Sequence, residues 1–159
     1  MLYKLLFLVF VNKPGTYVDI ALCRLTGFSI ITKIIASLNN LDYKPSMVFR
    51  NIGAKSGEIR TCVLPYQHYG DGYYIVGSKG GGPVDPAWAI NAQKNPSCWM
   101  YMNRKRIAAR ARLAEGEERE KIWQQIVDAD SKVYLDYQKT AYPRILPIII
   151  LDLVHKLKK

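Results

Sequence analysis

The sequence predicts a mainly β domain with added α structure (α+β): a small antiparallel barrel with covering helices and an N-terminal amphipathic helix. Three observations point there. Six strand-like runs lie in the chain beyond residue 46. Their spacings are mostly those of hairpins, with Asp71-Gly72 as a turn signal. A single internal helix interrupts them, which suits a barrel with covers better than alternating β/α units. A chain of 159 residues is long enough for one domain with its own core.

Residues 1–11, MLYKLLFLVFV, contain an unbroken apolar run of seven residues after Lys4. That is far below the ~20 needed to span a bilayer. No small-x-small cleavage site follows, so the segment reads as an apolar helix that docks on the domain or dips into a membrane interface. Residues 16–38 read as one amphipathic helix, with Val18, Ala21, Leu22, Leu25, Phe28, Ile31, Ile35 and Leu38 at spacings of three and four. Asp19 falls near its N-terminal end, where a negative charge is favoured. Such a helix either caps a core or lies on an acidic lipid surface. Residues 39–46 read as a linker. The strands follow: Met47–Ile52, Glu58–Gln67 with a break near Pro65, Tyr73–Ser78, Ser97–Asn103 and Lys105–Leu113. In the last of these, Ile107, Ala109, Ala111 and Leu113 alternate with Ala108, Arg110 and Arg112, as on a half-solvated strand. Pro86–Asn95 is the internal helix. Glu115–Val127 is another, Asp128–Tyr142 a polar tyrosine-bearing segment, and Ile145–Leu151 a strand buried on both faces. The organisation is therefore residues 1–46 as N-terminal helices and linker, 47–153 as the barrel, and 154–159 as a basic tail.

Charge and composition narrow the function. Twenty-three basic against 13 acidic residues leave a net charge of +10, which favours an anionic partner such as nucleic acid, a phosphorylated cofactor or an acidic membrane surface. The basic residues are scattered and not interleaved with aromatics in one strand motif, so no nucleic-acid partner is expected. Cys23, Cys62 and Cys98 are far apart, and an odd count argues against a disulfide framework and for a reducing, cytoplasmic setting. Two histidines with no cysteine nearby give no zinc signature, and no metal site is expected.

The stretch from Gly53 to Pro96 organises the chain. Two basic glycine turns, GAKSG and GSKGGGP, each adjoin a strand. Asp85 reads as the N-cap of the internal helix and Pro86 as its first residue, with Asn95-Pro96 as its stop. Glycines admit a ligand close to the backbone, helix-start N–H groups carry partial positive charge, and Lys55, Arg60 and Lys79 add full charges. A phosphate or carboxylate is the natural guest; hairpin turns carrying solvated lysines are the plain alternative.

This order of motifs resembles the deazaflavin-dependent nitroreductase family, the split-barrel reductases that use coenzyme F-420. The matching residues are Gly53-Ala54-Lys55-Ser56-Gly57, Arg60, Ser78-Lys79-Gly80-Gly81, Pro83, Pro86-Ala87-Trp88, Asn91 and Asn95-Pro96. Toward the C-terminus they are Trp123, Tyr134, Asp136-Tyr137-Gln138, Thr140, Arg144, Pro147 and Ile148-Ile149-Ile150. The resemblance covers residues 47–152 and implies a split antiparallel β-barrel like that of FMN-binding proteins. It implies that Lys55, Arg60 and Lys79 bind the phosphate and acidic tail of the deazaflavin. Ser78, with Gly80 and Gly81 after it, then sits beside the ring. Trp88 and Asn91 support the turn that precedes their helix, or are respectively core packing and a surface amide. Tyr134 and Tyr137 line the substrate side and pass a proton, or are amphipathic residues of a lid helix; a spacing of three puts them on one helical face. The implied activity is hydride transfer from reduced coenzyme F-420 to a quinone, enone or nitroaromatic. The alternative is a split-barrel protein binding flavin mononucleotide (FMN) or a lipid. A homodimer and a peripheral contact of residues 1–38 with the inner membrane face complete the expectation.

Overall fold

The computed structural model of the protein describes residues 12–154. The apolar segment 1–11 and the basic tail Lys156–Lys159 lie outside the described residues. Seven strands form one antiparallel sheet: β1 (Ser46–Ile52), β2 (Ile59–Pro65), β3 (Gln67–Tyr69), β4 (Gly72–Val76), β5 (Ser97–Met102), β6 (Lys105–Leu113) and β7 (Ile148–Leu153). The order across the sheet is β2-β1-β5-β6-β7-β4-β3. Its two edges, β2 and β3, are separated in sequence by Tyr66 alone. In a flat sheet of this width the edges would lie about 29 Å apart, at ~4.8 Å per strand step. One residue spans only about 3.5 Å. The sheet therefore curls until its edges meet at that corner. The predicted barrel is present, and the second predicted strand is two, β2 and β3, parted after Pro65.

The barrel interior is filled from alternate positions, Met47 and Phe49 of β1 with Met100, Ala109, Ala111, Ile149 and Leu151. The other face of β7 presents Ile148 and Ile150 to Ile122 and Ile126 of the long helix α4 (Gly116–Ala141). A strand buried on both faces needs a continuous apolar run, which Ile148–Leu151 supplies. Each such side chain contributes about 1.5–3 kcal/mol on burial.

Three helical expectations change. The predicted single helix 16–38 is two: α1 (Lys13–Thr26) and α2 (Ile30–Leu38), bent by 102°. Gly27 stops α1 in the left-handed region at φ 74°, its N–H bonded to Cys23 O at 2.8 Å. Asp19 is fully buried and caps α2 rather than α1: Oδ1 accepts from Ile30 N at 2.6 Å and Oδ2 from Ser29 Oγ at 2.8 Å. Turning Asp19 and Cys23 inward leaves the apolar stripe facing out, with Val18 and Leu25 each 55% exposed. Among the described residues no single helix is long and apolar enough to cross a membrane. Second, the segment 128–142 is not separate, because α4 runs unbroken for 26 residues. Third, Asp85 does not cap the internal helix. That helix, α3 (Ala87–Lys94), has Pro86 at its N-cap, and the Asp85 carboxylate is taken by Arg144 at 2.8 Å. Asn95 ends α3 as predicted.

Candidate functional site

The barrel and its covers enclose a cleft of about 740 Å³. One wall is α2 with Asn39 beyond it; the floor is Leu64, Tyr74 and Ile75; the far wall is Tyr134 and Tyr137 of α4. Ser78, Lys79 and Gly80 lie at its rim, with Trp88 beside them. A second hollow of about 580 Å³ holds Lys55, Ser56, Arg60, Asn51 and Asn91, and Trp88 lines this one too. The structure thus divides the predicted residues between two adjoining spaces that share the Trp88 indole. Gly81 lines neither.

The first glycine turn closes between β1 and β2. Gly53 N donates to Glu58 O at 2.8 Å and Gly57 N to Gly53 O at 2.9 Å. A side chain at Gly53 would put its Cβ 2.7 Å from Ser56 Oγ and 3.2 Å from Glu58 O, so the Ser56 hydroxyl would have to give way. Asn91 Oδ1 accepts from Ala54 N at 2.9 Å. Asn91 thus supports the first glycine turn, not the turn before its own helix, and is not a free surface amide. Arg60 reaches Ser56 Oγ at 3.2 Å and Glu58 at 2.9 Å, all exposed. An exposed ion pair is worth about 0–1 kcal/mol, so an arriving phosphate displaces it at little cost. Lys55 and Lys79 are also exposed. The Trp88 ring meets Phe49 edge-on at 6.1 Å, and Asn51 Nδ2 donates to its carbonyl at 2.8 Å. Trp88 packs against the core and walls both spaces at once.

The second turn is left-handed over three residues: Lys79, Gly80 and Gly81 have φ of 47°, 60° and 77°. Gly81 is buried with its Cα facing α4; an added Cβ would lie 3.0 Å from Tyr137 O. Sequence reasoning assigned no role to Arg144, which donates to Gly77 O, Ser78 O and Gly82 O at 2.8–3.0 Å. It also missed Asn39. The Tyr137 hydroxyl donates to Asn39 Oδ1 at 3.0 Å, while Asn39 Nδ2 donates to Ile35 O at 2.8 Å. Burial pushes the Tyr137 phenol above its ordinary value, keeping it protonated. Tyr134 stands against it edge to face at 6.1 Å.

A curled antiparallel sheet with a ring-sized cleft and cationic glycine turns on either side of one tryptophan defines a split-barrel cofactor-binding domain. Comparison with known proteins narrows this. The profile of the F420H(2)-dependent quinone reductases matches residues 33–152. An F420H(2)-dependent quinone reductase of Mycobacterium tuberculosis is 33% identical over 110 residues, covering 67% of this chain and 72% of the relative. A putative one from the same organism is 28% identical over 109 residues, covering 67% of this chain and 88% of that relative. A solved structure described as an F420-H2 dependent reductase superposes with a TM-score of 0.59 at 36% identity, over 68% of this chain and 94% of that one. The chain belongs to the F420H(2)-dependent quinone reductase family. It is an oxidoreductase whose cofactor is coenzyme F-420.

Proposed function

We propose that this chain binds coenzyme F-420 across its two adjoining hollows and reduces a quinone held in the cleft against α4. The coenzyme's tail is anionic and its ring flat, and the residues present fit both. Lys55, Arg60 and Lys79 stand exposed with Glu58 as the one carboxylate paired to them among the described residues. Asn51 Oδ1, buried at the second hollow, has no partner and offers an acceptor to a donor on the coenzyme. When bound in its reduced form, the coenzyme supplies a hydride.

The protein's own part is electrostatic and positional. Lys55, Arg60 and Lys79 hold the tail, while Ser78 and Gly80 set the rim against which the ring rests and Gly81 behind them seats the turn on α4. Trp88 and Asn91 brace the two turns from behind. Tyr134 and Tyr137 face the acceptor, whose carbonyl oxygen gains charge as the hydride arrives and needs a hydrogen-bond donor. A raised phenol pKa keeps that donor protonated across the neutral range. Because the Tyr137 proton points at Asn39 in this arrangement, the hydroxyl rotates toward an acceptor when one enters. The observation that carries this reading is the convergence of both tyrosines and the Ser78–Gly80 turn on one apolar cleft.

Titrating the purified protein with oxidised coenzyme F-420 and following its fluorescence tests it. Micromolar binding weakened tenfold or more by Lys79→Ala supports the reading; identical behaviour of the two proteins sinks it. Menadione, a cyclohexenone and a nitroimidazole offered in turn rank the acceptors, with the quinone expected to be fastest.

The outward stripe of α1, Tyr17, Val18 and Leu25 with Phe28 beyond it, lies beside Arg24 and Arg104 and favours a peripheral seat on the acidic inner membrane face. Co-sedimentation with phosphatidylglycerol vesicles, lost in Leu25→Glu, checks it; equal sedimentation of both removes it. A homodimer is the assembly we infer, since one structural relative at 36% identity and a TM-score of 0.59 is described as a domain-swapped dimer. Light scattering reads the mass.

A further inference from the structure

We propose that Arg144 is the positioning residue that sets the coenzyme-binding turn, with Asp85 as its counter-ion. This rests on the coenzyme reading above and names a residue outside the cleft as a determinant of affinity. The Arg144 side chain is 10% exposed. Its guanidinium makes four bonds: Nε to Gly82 O at 2.8 Å, Nη1 to Gly77 O at 3.0 Å and to Asp85 Oδ1 at 2.8 Å, and Nη2 to Ser78 O at 2.8 Å. The three carbonyls come from both ends of the Gly77–Gly82 loop, so one planar fork ties its entry to its exit. Between those ties lie Lys79, Gly80 and Gly81, all left-handed. Lysine adopts that conformation only when its surroundings impose it.

Arg144 is itself held. Gln138 of α4 donates to its carbonyl at 2.7 Å and accepts from Leu146 N at 2.9 Å. The chain of bonds therefore runs from α4 through Arg144 to the loop. Carbonyls drawn toward the guanidinium leave the opposite side of the loop open: an added Cβ at Gly80 would meet nothing within 4 Å. A fork of this shape cannot be replaced by a lysine, which is a point charge on a flexible stem. The arginine does not touch the cleft, so it acts on the coenzyme only through the direction it imposes on Lys79 and the loop.

The test is Arg144→Lys in the full chain, with coenzyme F-420 fluorescence as the binding probe. The expected result is a tenfold or greater rise in coenzyme Kd, with the KM for menadione changed less than twofold. In the double variant Arg144→Lys, Lys79→Ala, the second change costs much less than it does alone, because Lys79 is already misdirected. Asp85→Asn, at a side chain 29% exposed, keeps the fold and raises Kd about threefold. A well-folded Arg144→Lys protein that binds within twofold of wild type overturns the proposal. If Arg144→Lys does not fold, unchanged binding by Asp85→Asn overturns it. Wild-type protein that fails to bind at all sinks the coenzyme reading instead, a separate outcome.

Discussion

Gly81→Ala is the sharpest probe of the join between the coenzyme turn and the tyrosine helix, and Gly80→Ala is its control. Both residues are left-handed, at φ 77° and 60°. Alanine in that region costs about 1 kcal/mol at either position. The surroundings differ. At Gly80 a new methyl meets nothing within 4 Å. At Gly81 it would lie 3.0 Å from Tyr137 O and 3.1 Å from both Tyr137 Cα and Thr140 Cβ. Two of those three are backbone atoms of α4, which cannot swing aside as a side-chain tip does. Overpacking of this kind adds about 1–3 kcal/mol. Gly81→Ala is therefore expected to lose about 2–4 kcal/mol against about 1 for Gly80→Ala. At roughly 2–4 °C per kcal/mol for a chain of this size, the gap in Tm is about 2–12 °C. Differential scanning calorimetry reads it directly. Since the displaced atoms belong to Tyr137, quinone turnover also falls more in Gly81→Ala than coenzyme binding does. Equal Tm values for the two variants would show that the turn and α4 are not in contact, and would refute the reasoning.

Asp19→Ala leaves Ile30 N, Ile31 N and the Ser29 hydroxyl without their buried acceptor and loses about 2–4 kcal/mol, read by urea unfolding, with faster hydrogen exchange confined to residues 30–38. Tyr137→Phe removes the bond to Asn39 and the phenol together, and is expected to lower quinone turnover tenfold or more with coenzyme Kd unchanged in the fluorescence titration. The same variant alters alkaline stability. Burial raises the folded Tyr137 pKa, so its contribution is complete below about pH 10, the unfolded value, and is lost as pH climbs through the folded one. Denaturation followed from pH 9 to 12 should therefore fall less steeply in Tyr137→Phe. Raising salt from 50 to 500 mM weakens coenzyme binding severalfold in wild type and less in Lys55→Ala, since exposed charges are screened over about 10 Å or less.

Much of the barrel was legible because strand burial is a local pattern. The alternation in β6 and the unbroken apolar run of β7 each say which faces are covered. The length of α4 was missed: the polar composition of Asp128–Tyr142 set that segment apart from the helix before it, although no glycine or proline falls between residues 117 and 142. Two carboxylates misled for one physical reason. Asp19 reads as a favourable charge near the start of its own helix and Asp85 as a helix cap, and each is claimed by a distant group instead, the N-terminus of α2 and Arg144. A carboxylate on a short stem takes whichever donor the fold brings nearest, and the sequence does not print that. For the candidate site, the sequence offers a set of residue types. That it consists of two hollows parted by Trp88 was not legible, because that division depends on where α3 lies across the sheet.

The division has a consequence for how the two substrates behave. The second hollow is open and cationic, so it suits a charged tail that exchanges with water and is drawn in by the net charge of +10. The cleft is walled on one side by α2, which Asp19 and the Asn39–Tyr137 bond hold in place. An apolar acceptor must pass that wall. Displacing only the Asn39 end of α2 breaks the Tyr137–Asn39 bond and some apolar contact, an opening within the few-kcal/mol range of local fluctuations. Such a cleft admits the acceptor without release of the coenzyme. We infer an order of binding from this arrangement: the tail anchors first, and acceptors come and go past α2.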